Sequence, residues 1–131
     1  VVGSFPGVSH VALTVKDVRT SAEWYKRLFQ LDPVLDEDAG SFYHIVFALP
    51  GGVLFGLHEH HSGDPGTFDE TKLGLDHLAF ACADRSELEQ WAAKLDELGI
   101  AHSGVEDHSY GSDVSFRDPD NIALEFFAPP G

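Results

Sequence analysis

Cysteine is almost missing from this chain: Cys82 is the only one in 131 residues. A single thiol excludes an internal disulfide and fits a reducing, cytoplasmic setting. Positive charge is scarce as well, with 8 Lys plus Arg against 22 Asp plus Glu, or −14 with neutral histidines. A surface so acidic repels phosphate backbones and anionic lipid, which argues against nucleic-acid and membrane partners and leaves a cationic or small-molecule ligand open. No apolar run reaches the roughly 18 residues a membrane span requires. The N-terminus lacks the basic start and apolar stretch of a signal peptide, so the expectation is a cytoplasmic protein. What remains is ordinary for a globular domain, 43% hydrophobic and 23% charged, at a length that suits one domain with a real core.

The sequence contains an internal duplication. Gly7 to Leu31 (GVSHVALTVKDVRTSAEWYKRLFQL) aligns without a gap on Gly74 to Leu98 (GLDHLAFACADRSELEQWAAKLDEL). Gly7 meets Gly74, His10 meets His77, Ala12 meets Ala79, Asp17 meets Asp84, Trp24 meets Trp91, and two leucines coincide. A rare Trp and a His matching in one frame mark a true repeat.

Each copy begins with an alternating segment, 8–15 and 75–82, that predicts a strand. Asp17 and Asp84 then stand as helix N-caps, and Asp84 to Glu87 has the form of a capping box. Leu88, Trp91, Leu95 and Leu98, like Ala22, Tyr25 and Leu28, recur at helical spacing, with Trp24 and Trp91 read as helix core. Pro33 and Gly99 are expected to end the helices. Three short strands follow in each copy, near 34–37, 42–49 and 53–60, then near 102–106, 112–117 and 121–128. The turns LPGG (49–52) and DPDN (118–121) separate the last two of each set. Ser62 to Lys72 is the one obvious linker. The expected organisation is one domain over 1–131, made of repeat one (7–61), a linker (62–73) and repeat two (74–128).

Strand parity then selects a set of polar side chains. A helix on one sheet face claims the apolar residues, and the period of two fixes what lies opposite. Val11, Leu13 and Val15 go to the helix, leaving His10, Ala12 and Thr14 on the other face. Leu78, Phe80 and Cys82 likewise leave His77, Ala79 and Ala81, and Ile122, Leu124 and Phe126 leave Ala123, Glu125 and Phe127. Two imidazoles and one carboxylate are a recurrent ligand set for Zn, Fe(II), Mn, Co or Ni with positions left open. His10, His77 and Glu125 are therefore the candidate ligands of a divalent metal.

By the same parity His44, Asp113, Ser115 and Arg117 are candidate substrate contacts. Tyr110 and His108 fall in an expected loop before a strand, where a general acid could sit. His58 opens the run His-Glu-His-His (58–61), which suggests a second metal or simply an acidic loop start. Cys82 should be buried and inert.

The order of these features, with His in the first strand, HLAF in the repeat and FRDPDNIALEFF near the end, resembles the vicinal oxygen chelate superfamily of glyoxalases, extradiol dioxygenases, fosfomycin-resistance transferases and bleomycin-resistance proteins. The resemblance covers Gly7 to Ala128. It implies an α+β fold of two tandem βαβββ modules forming a U-shaped, partly open β-barrel cleft with helices outside, a metal within, and often a homodimer.

One departure is informative. A glyoxalase I has a glutamate in the last strand of both halves. Matching Pro50 to Pro119 puts Gly56 opposite Glu125, whereas the ungapped frame puts His58 there; turn lengths favour Gly56. The first carboxylate is missing either way, which argues against glyoxalase I chemistry. The resulting expectation is a small metal-dependent lyase, isomerase or ring-cleaving dioxygenase that chelates a substrate through neighbouring oxygens. Glu125, His58, His44 or Tyr110 would carry protons. The alternative is a metal-free protein of the bleomycin-resistance type whose acidic surface sequesters a cationic ligand.

Overall fold

The computed structural model describes residues 2–131; Val1, the first residue of the expected domain, lies outside the described residues. The chain divides into two compact units that meet in sequence between Pro65 and Gly66. Each unit carries one four-stranded mixed sheet and one helix in the order βαβββ, so the α+β architecture of two tandem modules is the one found.

In the first unit β1 (His10–Thr14) leads into α1 (Val18–Phe29), then β2 (Leu35–Asp38), β3 (Phe42–Ala48) and β4 (Leu54–His60). The sheet order is β1-β4-β3-β2, with β1 parallel to β4 and the other pairs antiparallel. Asp17 caps α1 by accepting from the backbone N–H groups of Arg19 and Thr20. The helix ends at Phe29 and not at Pro33, because Gln30 takes a left-handed conformation (φ 55°) whose N–H donates to the carbonyl of Lys26. Val18, Ala22, Tyr25 and Leu28 are buried, as are Leu13, Ile45, Phe47, Phe55 and Leu57 of the strands. Tyr25 is completely buried, its ring centroid 4.9 Å from that of Phe55.

In the second unit β5 (Leu78–Ala81) is followed by α2 (Arg85–Glu97), β6 (Glu106–His108), β7 (Gly111–Arg117) and β8 (Ala123–Ala128), in sheet order β5-β8-β7-β6. Asp84 accepts from the N–H of Glu87, while the Glu87 carboxylate accepts from that of Ala83. Leu88 and Leu95 are buried, and Trp91 stacks on Phe126 with centroids 4.5 Å apart. Trp24 and Trp91 are half-buried, not core, the fully buried aromatic of α1 being Tyr25. Cys82 is buried as expected, and burial pushes its thiol up to about 11.

The strand expected near 102–106 is displaced. Only His102 bridges to Phe116 there, and regular pairing starts at Glu106 opposite Asp113. Four steps along the outer strand, from His102 to Glu106, match three along β7, from Phe116 to Asp113. One residue is thus extra, at a turn where Gly104 holds φ +78°, and the strand restarts beyond this bulge.

Candidate metal centre and its neighbours

The helix-side and opposite faces of each sheet follow the alternation. In β8 Leu124, Phe126 and Ala128 are buried while Ala123, Glu125 and Phe127 are half-buried; in β1 Leu13 is buried while His10, Ala12 and Thr14 are exposed. His10 and Glu125 therefore lie on the face away from the helix of their own unit. His77 precedes β5, and its ring lies beside Glu125.

In the second unit the structure brings His77 and Glu125 together. His77 Nε2 is 3.3 Å from Glu125 Oε1, and its Nδ1 is 2.7 Å from Asp76 Oδ1. The Asp76 hydrogen bond raises the His77 pKa above its ordinary value, against the opposing effect of burial. Burial raises that of Glu125 and outweighs the pull of His77. In the first unit His10 is held in the same manner: Ser9 Oγ lies 2.8 Å from its Nδ1. Ser9 and Asp76 are counterparts in the duplication, so each copy fixes its histidine through Nδ1 by the preceding side chain and leaves Nε2 for other work. That is the support a metal-ligating imidazole requires. Donors sharing one ion at usual bond lengths lie about 3.0–3.4 Å apart, and the His77–Glu125 pair has that spacing. The His77–Glu125 pair thus suits two adjoining positions around a divalent ion.

Strand register identifies the counterpart of Glu125. Ala79 pairs with Glu125 and its repeat mate Ala12 pairs with Gly56, so Gly56, and not His58, stands in that place. His58 pairs with Thr14 on one side and His44 on the other, and Glu37 follows across β2. His44 is 3.3 Å from Glu37 Oε1. The His58–His61 run does not gather on one point. Glu59 accepts from the N–H of Val18 at the start of α1, and His61 lies 3.1 Å from both oxygens of Asp38.

The remaining expected residues fare differently. Asp113 is nearly buried and meets His108 Nε2 at 3.2 Å; Ser115 is exposed and neighbours Glu125 in register. The Arg117 guanidinium is committed to Glu70 at 2.8 Å and to the carbonyl of Asn121. Tyr110 lies in the expected turn, 63% exposed, but His108 ends β6 and does not belong to the loop. The two rings stack with centroids 4.9 Å apart. Glu106, absent from the sequence-derived set, joins His108 and Asp113: one donor atom of each lies within 4.8 Å of the others. No periodicity signals Glu106, because the bulge before it resets the strand's alternation.

Against known proteins, residues 7–126 match the Glyoxalase/Bleomycin resistance protein/Dioxygenase superfamily. No curated protein sequence matches the chain. Among solved structures, a glyoxylase/bleomycin resistance protein/dioxygenase domain from Frankia sp. EAN1pec is 35% identical over 97% of this chain and 94% of its own, with a TM-score of 0.87. Lactoylglutathione lyase from Agrobacterium tumefaciens is 19% identical over 93% and 92%, with a TM-score of 0.70. A mutant of the fosfomycin resistance protein FosX from Listeria monocytogenes, complexed with Mn(II) and 1S,2S-dihydroxypropylphosphonic acid, is 20% identical over 97% and 95%, with a TM-score of 0.72. The last two share the fold. The chain belongs to the Glyoxalase/Bleomycin resistance protein/Dioxygenase superfamily.

Proposed function

We propose that the chain is a small metalloenzyme that holds a divalent ion (Zn, Fe(II), Mn, Co or Ni) through His10, His77 and Glu125 and takes a small substrate through two neighbouring oxygens. The observation that carries this reading is the His77–Glu125 pair, 3.3 Å between donor atoms with Asp76 behind the imidazole. His10 is the ligand contributed by the first unit, in this chain or in a second copy. When bound, the ion would supply the Lewis acidity that polarises two neighbouring substrate oxygens, as a lyase, isomerase or dioxygenase requires.

The chain's own residues would do the rest. Glu125, a half-buried carboxylate, would accept a proton from substrate and return it. His58 and Tyr110 are the other candidate proton carriers. His44, Asp113 and Ser115 would contact substrate, and Arg117 would do so only by giving up Glu70. The same reading expects a cytoplasmic homodimer acting on a small molecule. No helix among the described residues is long and apolar enough to cross a membrane.

The test is Glu125→Gln, which keeps the shape and removes the charge. The wild-type melting temperature should rise with added metal, as mass action requires of a ligand bound by the folded state, and the variant should lose most of that rise. A wild-type curve indifferent to all five ions, beside salt-sensitive binding of a cationic glycopeptide, would replace this reading with sequestration by the acidic surface.

A further inference from the structure

We propose that His58 is a further donor to the ion that His10 holds, its imidazole occupying the space that a carboxylate at position 56 would take; this rests on the metalloenzyme reading above. The duplication supplies the geometry. Gly56 occupies in the first copy the place of Glu125 in the second. A Cβ at Gly56 would lie 3.5 Å from His58 Nε2 and 3.6 Å from the Ala12 Cβ. The His58 ring thus leans back along β4 and sets its Nε2 over Gly56, where the acid of a longer residue would reach. A glycine there leaves the space to the imidazole.

The ring is held in place by its neighbours. It stacks on Phe42 with centroids 4.5 Å apart and an interplanar angle of 17°, and the His44 ring meets it at 81° with centroids 5.4 Å apart. His44 is in turn tied to Glu37. Rigid placement of this kind is what a ligand gains from a supporting layer.

The nitrogens of that ring are also uncommitted. Six of the eight histidines have a polar side-chain partner: His10 has Ser9, His44 has Glu37, His61 has Asp38, His77 has Asp76, His102 has Asp96 and His108 has Asp113. Among the described residues only His58 and His60 lack one, and His60 is exposed while His58 is half-buried. No buried side-chain nitrogen or oxygen among the described residues lacks a partner, so the His58 nitrogens are open to solvent and within reach of an ion. Burial first, then the imidazoles of His44, His60 and His10, hold the His58 pKa below its ordinary value.

The experiment is a Co(II) titration of the full-length wild type, His58→Ala, His58→Phe and Glu125→Gln, read by visible absorption and by the metal-dependent melting shift. His58→Phe retains an aromatic ring to stack on Phe42 and so controls for loss of packing. Both His58 variants should bind Co(II) at least tenfold more weakly, with an altered absorption band. If Glu125→Gln loses Co(II) while both His58 variants keep wild-type affinity and spectrum, this inference falls and the metalloenzyme reading stands. If the wild type itself binds no Co(II), both fall.

Discussion

Asp76 stands behind His77, its Oδ1 2.7 Å from Nδ1, so that Nε2 is the nitrogen turned toward Glu125. Asp76→Ala should then weaken divalent-metal affinity about 10–100-fold without removing any ligand. Isothermal titration of the variant beside the wild type measures it. Equal affinities would show that Asp76 is merely a solvated neighbour.

Gly56 in the place of Glu125's counterpart leaves the first copy without a carboxylate on that row. The metal-replete protein should therefore not isomerise the glutathione hemithioacetal of methylglyoxal above background. Formation of the thioester is followed directly by its ultraviolet absorption. Efficient turnover would contradict the link between that missing acid and the chemistry.

The Arg85 hydrogen bond, with a second from Ser112, brings the Asp107 carboxyl down to about 2. A carboxylate with a depressed folded pKa adds stability that is complete above its unfolded value of about 3.9 and is lost as pH falls through the folded value. The pair is exposed, so the effect is small. Asp107→Asn should melt below the wild type at pH 5, with the two curves converging between pH 4 and pH 2. Curves that stay parallel down to pH 2 would rule the pairing out as a source of acid-dependent stability.

Gly111 opens β7 at φ +144°, and a Cβ there would lie 2.4 Å from both the Ala128 carbonyl oxygen and the Phe127 ring. Gly111→Ala should cost about 2–4 kcal/mol, combining backbone strain with overpacking. Urea denaturation gives the difference. A loss under about 0.5 kcal/mol, the size of an ordinary surface change, would mean that Phe127 and the end of β8 move aside freely.

Much of this was legible in the sequence because the copies report on each other. Gly7 on Gly74 and His10 on His77 set the frame, and the alternation from Val11 to Val15 and from Ile122 to Phe127 assigned each side chain to a face that the structure confirms. Turn lengths already favoured Gly56 over His58 as the counterpart of Glu125, and the two hairpins do prove equally long, Ala48 pairing with Leu54 as Arg117 pairs with Ala123. Glu106 and the strand character of His108 were hidden for a different reason: a one-residue bulge shifts parity without leaving a hydrophobic signature. The pairing of Arg117 with Glu70 was hidden by distance along the chain, since nothing in the linker's composition marks Glu70 as its partner.

The short strands β2 and β6 have a consequence for colloidal behaviour. Each is the outermost strand of its sheet, each is fully exposed, and their sequences are Leu-Asp-Glu-Asp and Glu-Asp-His. An open strand edge is a template for another chain, and like charges clustered along it hold a second copy off. Glu37, Asp38 and Glu106 carry that duty here, since Arg19 and Arg85 pair with Asp36 and Asp107. As acid neutralises them the edges lose their repulsion while their backbone groups still seek partners, so light scattering should rise on acidification, with edge-to-edge aggregation and not clean unfolding closing the protein's useful range at low pH.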